Sequence, residues 1–177
     1  LPICGRFYWA DSDIVPKRFN VGIIDDSLPN ADRTVQLTLA NPAGGAVILQ
    51  SNSIITILDD DSTVTFSSAN YAVAENAGQV PVTIQRGGST NVTLLVTMST
   101  SDGTAINGID YIPLVTNLVF LPGVTTLTVP VSIIDDTKIT GDHVFNLDFS
   151  GLSTTPSGSP VFGLNSASVT IIDDDLG

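Results

Sequence analysis

The chain has 177 residues, room for one large domain or one and a half ordinary ones, and its 42% hydrophobic content is ample for a core. Valine, isoleucine and threonine abound, Glu75 is the single glutamate, and there are two lysines and four arginines, a composition that favours strands over helices. A net charge of −12 and a pI of about 4.1 exclude a nucleic-acid binder, which needs clustered cations, and an anionic membrane would repel the chain unless a divalent cation bridged the two.

In chain order, Cys4 comes first and is alone, so no internal disulfide can form. Phe7, Tyr8 and Trp9 make an aromatic cluster, expected to pack beneath the sheet that follows. Phe19 to Ile24 is a first alternating run and ends in Asp25-Asp26. Asp32 to Leu39 is a second, and Ile54 to Leu58 a third that ends in Asp59-Asp60-Asp61. Further on, Val80, Val82 and Ile84 share one face, and Arg86-Gly87-Gly88-Ser89 reads as a hairpin turn. Asn91-Val92-Thr93 fits a glycosylation acceptor. Val92, Leu94, Val96 and Met98 form the next face, then Leu127, Val129, Val131 and Ile133, a run that ends in Asp135-Asp136. Phe145, Leu147 and Phe149 follow, then Ala167, Val169 and Ile171, ending in Asp173-Asp174-Asp175.

Seven or so strands with closely spaced turns predict an all-β fold, an immunoglobulin-like antiparallel sandwich of two sheets, with no helix of ordinary length. Pro81 and Pro130 inside strand runs predict edge positions or bulges. The uncharged stretches Thr34–Leu58 and Tyr111–Ile134 are long enough to span a bilayer. Their alternation and prolines make them strands and turns, so no transmembrane segment is expected. A chain that starts at Leu1 is expected to be processed or part of a longer protein.

The sequence repeats itself. Phe19 to Asp26 matches Val129 to Asp136, and Asp32 to Leu39 matches Asp142 to Phe149, both at an offset of 110 residues (135 minus 25); Ile54 to Asp61 matches Ser168 to Asp175 at 114 (173 minus 59). Residues 62–177 therefore read as a complete unit, and residues 1–61 as the C-terminal half of another, with counterparts of its last three strands. Each unit ends its strands in aspartates with no cation beside them. Oxygen-only carboxylate clusters suit Ca²⁺, and without a counter-charge they repel one another.

Five ordered motifs in the second unit resemble the Calx-beta domain. They are Tyr71-Ala72-Val73-Ala74-Glu75-Asn76-Ala77-Gly78, Asp102-Gly103-Thr104-Ala105 through Gly108, Asp110 and Tyr111, Leu118-Val119-Phe120-Leu121-Pro122-Gly123, and the two Ile-Ile-Asp-Asp segments. The resemblance implies a Ca²⁺ cluster at one end of the sandwich. Its ligands fall on Glu75, Asp110, Asp135, Asp136, Asp173, Asp174 and Asp175. Where the family continues with further acidic positions, this chain has Thr140 and His143, although Asp142 is kept; fewer charged ligands imply fewer ions or weaker binding. In the first unit Asp25, Asp26, Asp59, Asp60 and Asp61 are candidates for half a site, and the last three also join the two units.

Enzymatic chemistry finds little support. A Ser-His-Asp triad would have to use His143, the chain's one histidine, and no G-x-S-x-G elbow precedes it. A zinc site wants several His or Cys together, so His143 is expected to be an exposed polar residue, and Asp102-Gly103 a turn. The expected function is a Ca²⁺-rigidified tandem module of a secreted or cell-surface bacterial protein, used in adhesion, matrix or filament building. Its expected partners are neighbouring repeats, identical subunits assembled head to tail, or a surface or matrix ligand. The alternatives are a Ca²⁺-sensing regulatory domain of a sodium/calcium exchanger-like transporter and an accessory domain of a large secreted hydrolase.

Overall fold

A computed structural model describes residues 4–156 and 158–175. Eleven strands occur among them: β1 (Arg33–Thr38), β2 (Asn52–Ile57), β3 (Ser62–Phe66), β4 (Asn70–Ala74), β5 (Gln79–Gly88), β6 (Thr93–Asp102), β7 (Val115–Phe120), β8 (Thr126–Ser132), β9 (His143–Thr155), β10 (Val161–Phe162) and β11 (Ser166–Ile172). The one helical element among the described residues is a single 3₁₀ turn, Glu75–Ala77. No helix is long and apolar enough to cross a membrane, among the described residues.

Strands β3 to β11 build a sandwich. One sheet has the order β10-β3-β5-β8 and the other β4-β11-β9-β6-β7. The alternation read from the sequence is what closes it, because period-two strands present one apolar face each. Val64 and Phe66 of β3, Val80, Val82 and Ile84 of β5 and Val131 of β8 are buried. They meet Leu94, Val96 and Met98 of β6, Phe120 of β7, Phe145, Leu147 and Phe149 of β9, and Val169 and Ile171 of β11. Two aromatic stacks cross this interior, Phe66 on Phe149 with ring centroids 3.8 Å apart and Tyr111 on Phe145 at 4.2 Å.

The prolines sit where the ladder leaves room for them. Pro81 pairs with Pro130, and β8 is an edge strand. β3 reaches along β5 only as far as Ile84, so Pro81 lies in a stretch of β5 whose sole neighbour is β8. A proline is tolerated there because no second strand needs its missing N–H.

Asp102, expected in a turn with Gly103, is instead the last residue of β6, and Gly103 opens a bend whose loop is stapled. The Asp102 carboxylate accepts hydrogen bonds from the Asn107 backbone N–H (2.9 Å), the Asn107 amide (2.7 Å) and the Tyr111 hydroxyl (2.6 Å). These donors hold Asp102 below the usual carboxylate range, with Tyr111 contributing most. Burial, and then the Asp102 carboxylate, push the Tyr111 hydroxyl up to about 12. Gly103 has no room for a side chain, since a Cβ would lie 2.4 Å from the Val144 carbonyl oxygen.

The N-terminal part is different. β1 and β2 form a separate antiparallel pair with Val35 opposite Ile55. Their inward residues Val35, Leu37, Ile55 and Ile57 are only half-buried. The expected strand over Phe19 to Ile24 does not form. Its counterpart β8 is held by β5 alone, and the described residues before Phe19 hold no equivalent of β5, so the run stays unpaired with Ile24 93% exposed. Phe7 packs near Trp9 and Phe19, at ring centroid distances of 5.9 and 5.8 Å, while Tyr8 points outward.

Candidate metal centre

The strand order carries the acidic clusters to one end of the sandwich. β4 and β11 run parallel with Ala74 opposite Ile172, so Glu75 and Asp173 leave the sheet side by side. The Ile133 N–H bonds to the Gly78 carbonyl (3.0 Å), which brings Asp135 and Asp136 to the same place. The result is two overlapping groups of carboxylates, Glu75, Asp135 and Asp174, and Glu75, Asp173 and Asp175, each with oxygens within 4.8 Å of one another. Ca²⁺–O distances of about 2.3–2.6 Å allow oxygens at roughly that spacing to share one ion.

These side chains are held from behind. Asp173 accepts the backbone N–H groups of Thr140 (2.7 Å), Gly141 (2.6 Å) and Asp175 (3.0 Å), which together keep it below the usual carboxylate range. Asp174 accepts the Asn76 backbone N–H at 3.3 Å and its side-chain amide. Asp136 accepts the Lys138 N–H (2.6 Å), which lowers it likewise. The carboxylates turned inward behave oppositely. Glu75 is 7% exposed and pushed up, first by burial and then by the charge of Asp136. Asp175 is pushed up by burial and then by Asp173.

The first unit repeats this construction. Asp25, Asp60 and Asp61 converge within the same 4.8 Å. Asp59 accepts the Asn30 N–H (2.9 Å) and Asp26 the Leu28 N–H (2.9 Å), mirroring Asp173 and Asp136. Asp61 is 2% exposed and pushed up by burial and then by Asp59. Here the two units touch. The Asp61 carbonyl accepts the Ser89 N–H at 2.8 Å. Gly88, with φ +73°, admits no side chain because a Cβ would come within 2.6 Å of that carbonyl and 2.7 Å of Pro29. The expected hairpin at Arg86 to Ser89 does not form: Arg86, Gly87 and Gly88 end β5, and the chain then crosses to β6 in the other sheet. Arg86, 5% exposed, holds this crossing from inside by donating to the carbonyls of Val92 (2.7 Å) and Ser89 (2.6 Å) and to the Ser62 hydroxyl (3.1 Å).

The donor set fits a hard cation. All candidate ligands are carboxylates, and one buried oxygen in each unit, Oδ1 of Asp61 and Oδ2 of Asp175, has no hydrogen-bond partner among the described residues. A buried anionic oxygen left without a donor is costly, and a metal ion is one of the few partners that removes that cost.

Of the residues singled out from the sequence, Glu75, Asp135, Asp173, Asp174 and Asp175 come together, as do Asp25, Asp60 and Asp61. Asp26, Asp59 and Asp136 stand at the rim, engaged by backbone N–H groups. Asp110 is in none of the three groups. One of its oxygens accepts the Ile106 N–H (2.6 Å), closing its own loop, and the other lies 3.3 Å from Nδ1 of His143. His143 is accordingly a half-buried partner of Asp110 and not the exposed polar residue expected. Asp32, and Asp142 noted above only as a retained acidic position, lie outside the expected ligand set yet belong to the site. Each accepts the backbone N–H of the first aspartate in the terminal cluster, Asp59 (3.0 Å) and Asp173 (3.2 Å), and so sets its direction. Their recurrence at the repeat offset was the available signal.

Comparison with known proteins agrees with this architecture. Residues 9–61 and 58–175 each match the family model described as the Calx-beta domain. The chain is 36% identical over 150 residues to extracellular matrix protein 3 of Lytechinus variegatus, a match that covers 76% of this chain and 5% of that protein. It is 34% identical over 136 residues to sodium/calcium exchanger 1 of Rattus norvegicus, covering 66% of this chain and 14% of the exchanger. The chain thus spans only a small part of these relatives. The crystal structure of an apo-form Calx CBD1 domain superposes with a TM-score of 0.60 at 30% identity, covering 64% of this chain and 98% of that one. The paired sheets, the ordered motifs and two matches that together span most of the sequence lead to one assignment: the chain belongs to the Calx-beta family.

Proposed function

We propose that this chain is a calcium-binding structural module of an extracellular protein. The observation that carries the reading is the pair of buried, unpartnered carboxylate oxygens on Asp61 and Asp175, at equivalent places in converging carboxylate groups. Glu75, Asp135, Asp173, Asp174 and Asp175 would hold Ca²⁺ in the second unit, with Asp136 at the rim; Asp25, Asp60 and Asp61 would do so in the first, with Asp26 and Asp59 beside them. Bound Ca²⁺ supplies the positive charge these clusters lack. The chain's own part is to pre-set the ligands: Asp32, Asp142 and Asn76 orient the terminal aspartates, and Arg86 holds the β5–β6 connection against which the first unit rests.

Extracellular use is supported by the matrix protein among the relatives. The relatives reported above are animal proteins, so the proposal is made without a bacterial source. Thr140 and His143 at positions where further acids would add charge point to weak binding, at about 10⁻⁴ to 10⁻³ M. Isothermal titration with calcium tests this. Saturable heat in that range is expected, diminished by Asp175→Asn, and no heat at millimolar calcium would remove the reading.

A second reading, a Ca²⁺-sensing module, is favoured by the 34% identity to a sodium/calcium exchanger. An affinity of about 10⁻⁷ to 10⁻⁵ M in the same titration would support it over the structural one.

We propose neighbouring repeats or identical subunits as partners at the sheet edge of the first unit. Among the described residues β1 has β2 on one side only, whereas its counterpart β9 is flanked by both β11 and β6. An unpaired edge takes up strands from a neighbouring repeat or an identical subunit, and head-to-tail contacts of that kind propagate into filaments. Light scattering over a range of concentrations should show self-association; a monomer throughout would dispose of the identical-subunit version.

A further inference from the structure

The β5–β6 connection carries a feature that calcium binding does not use. Asn91-Val92-Thr93 is the one Asn-X-Ser/Thr sequence among the chain's eleven asparagines, and its middle residue is not proline. The fold turns this short pattern outward. Val92 is buried at 6% exposure and its carbonyl is held by the Arg86 guanidinium at 2.7 Å, so the alternation of the entering strand directs Asn91 to solvent. Asn91 is exposed and lies in the bend before β6, where its backbone N–H reaches the Ser89 hydroxyl at 3.5 Å. Its side-chain amide makes no hydrogen bond among the described residues, and Thr93, the first residue of β6, is partly exposed.

We propose that Asn91 is an N-glycosylation site, its ligand an oligosaccharide delivered as a lipid diphosphate by a secretory-pathway transferase. The inference rests on the extracellular reading above. In the transfer, Nδ2 of Asn91 forms a bond to the anomeric carbon of the sugar. The anomeric carbon–oxygen bond to the diphosphate breaks, the lipid diphosphate leaves with the electron pair, and the amide gives up one proton. The glycan would stand beside the junction of the two units, because Ser89, two residues earlier, is bonded to the Asp61 carbonyl. A bulky, hydrated group there covers the connection without entering the core.

The test is to secrete the full chain from animal cells behind a cleavable signal peptide and weigh it intact. The expected result is a mass increased by a whole oligosaccharide, which peptide N-glycosidase removes while converting the acceptor amide to a carboxylic acid. Asn91→Gln and Thr93→Ala should each abolish the increment, and Thr93→Ser should retain part of it. Thermal melting of each secreted variant confirms that it is folded. Folded wild-type chain secreted without any glycan would overturn the proposal, as would a glycan that survives Asn91→Gln. Calcium titration of the same glycan-free preparation separates this failure from failure of the calcium reading.

Discussion

Phe145→Ala destabilises the second unit by about 3 to 5 kcal/mol, the cost of emptying a large aromatic site in a packed core. Phe145 is fully buried, lies in β9 between β6 and β11, and stacks on Tyr111. Removing the ring takes away one wall of the Tyr111 site as well, and Tyr111 anchors the Asp102 loop through its hydroxyl. The site is enclosed by strands on both sides, so collapse into the cavity is limited, and the upper half of that range is the natural one. Folded domains are stable by only about 5 to 15 kcal/mol, so the variant should be marginal at 37 °C. Urea denaturation monitors it, and a loss below about 1 kcal/mol would mean that the core is less tightly packed than the stack implies.

The second large effect is that of calcium. A ligand that binds only the native state at a hundredfold excess over Kd adds about 2.7 kcal/mol. For a chain of this length that is roughly 5 to 11 °C in the thermal midpoint, at about 2 to 4 °C per kcal/mol. Chelation should remove this increment. Glu75→Gln gives a sharper form of the same prediction, because its two effects have opposite signs. Glu75 is buried against Asp136, Asp173 and Asp175. Without calcium, neutralising it relieves desolvation and like-charge repulsion, so the midpoint of the calcium-free chain should rise. With calcium, one ligand charge is gone and the increment should shrink. Scanning calorimetry with and without chelator reads both arms. An unchanged calcium increment in the variant would take Glu75 out of the site, and an unchanged midpoint on chelation of the wild-type chain would remove calcium as a stabilising ligand.

Gly103 and Asp110 mark the boundary between what a motif says and what the fold does with it. Both belong to the segment that carries the family resemblance, and the sequence alone placed a turn at Asp102-Gly103. Asp110 was assigned to the metal on the same resemblance, yet its carboxylate closes the loop onto the Ile106 N–H and faces His143. A carboxylate next to a strand end has two uses, capping local N–H groups or meeting a distant cluster. Local sequence does not distinguish them, because the choice depends on where the neighbouring strands end.

Alternation with a period of two was enough to determine the sandwich, because burial on one face of a strand needs no knowledge of its partner. The positions of the acidic clusters at strand ends, and the recurrence of the whole pattern at offsets of 110 and 114 residues, were likewise written in the chain. The pairing itself was decided in three dimensions. Phe19 to Ile24 has the alternation of β8 but no strand beside it among the described residues, so its backbone groups find no ladder and it remains without regular structure and largely exposed. Only the parallel register of β4 and β11 put Glu75 beside Asp173 and Asp175, residues almost a hundred positions away. Strand patterning is local chemistry, whereas convergence of charges depends on register and strand order, which no short segment contains.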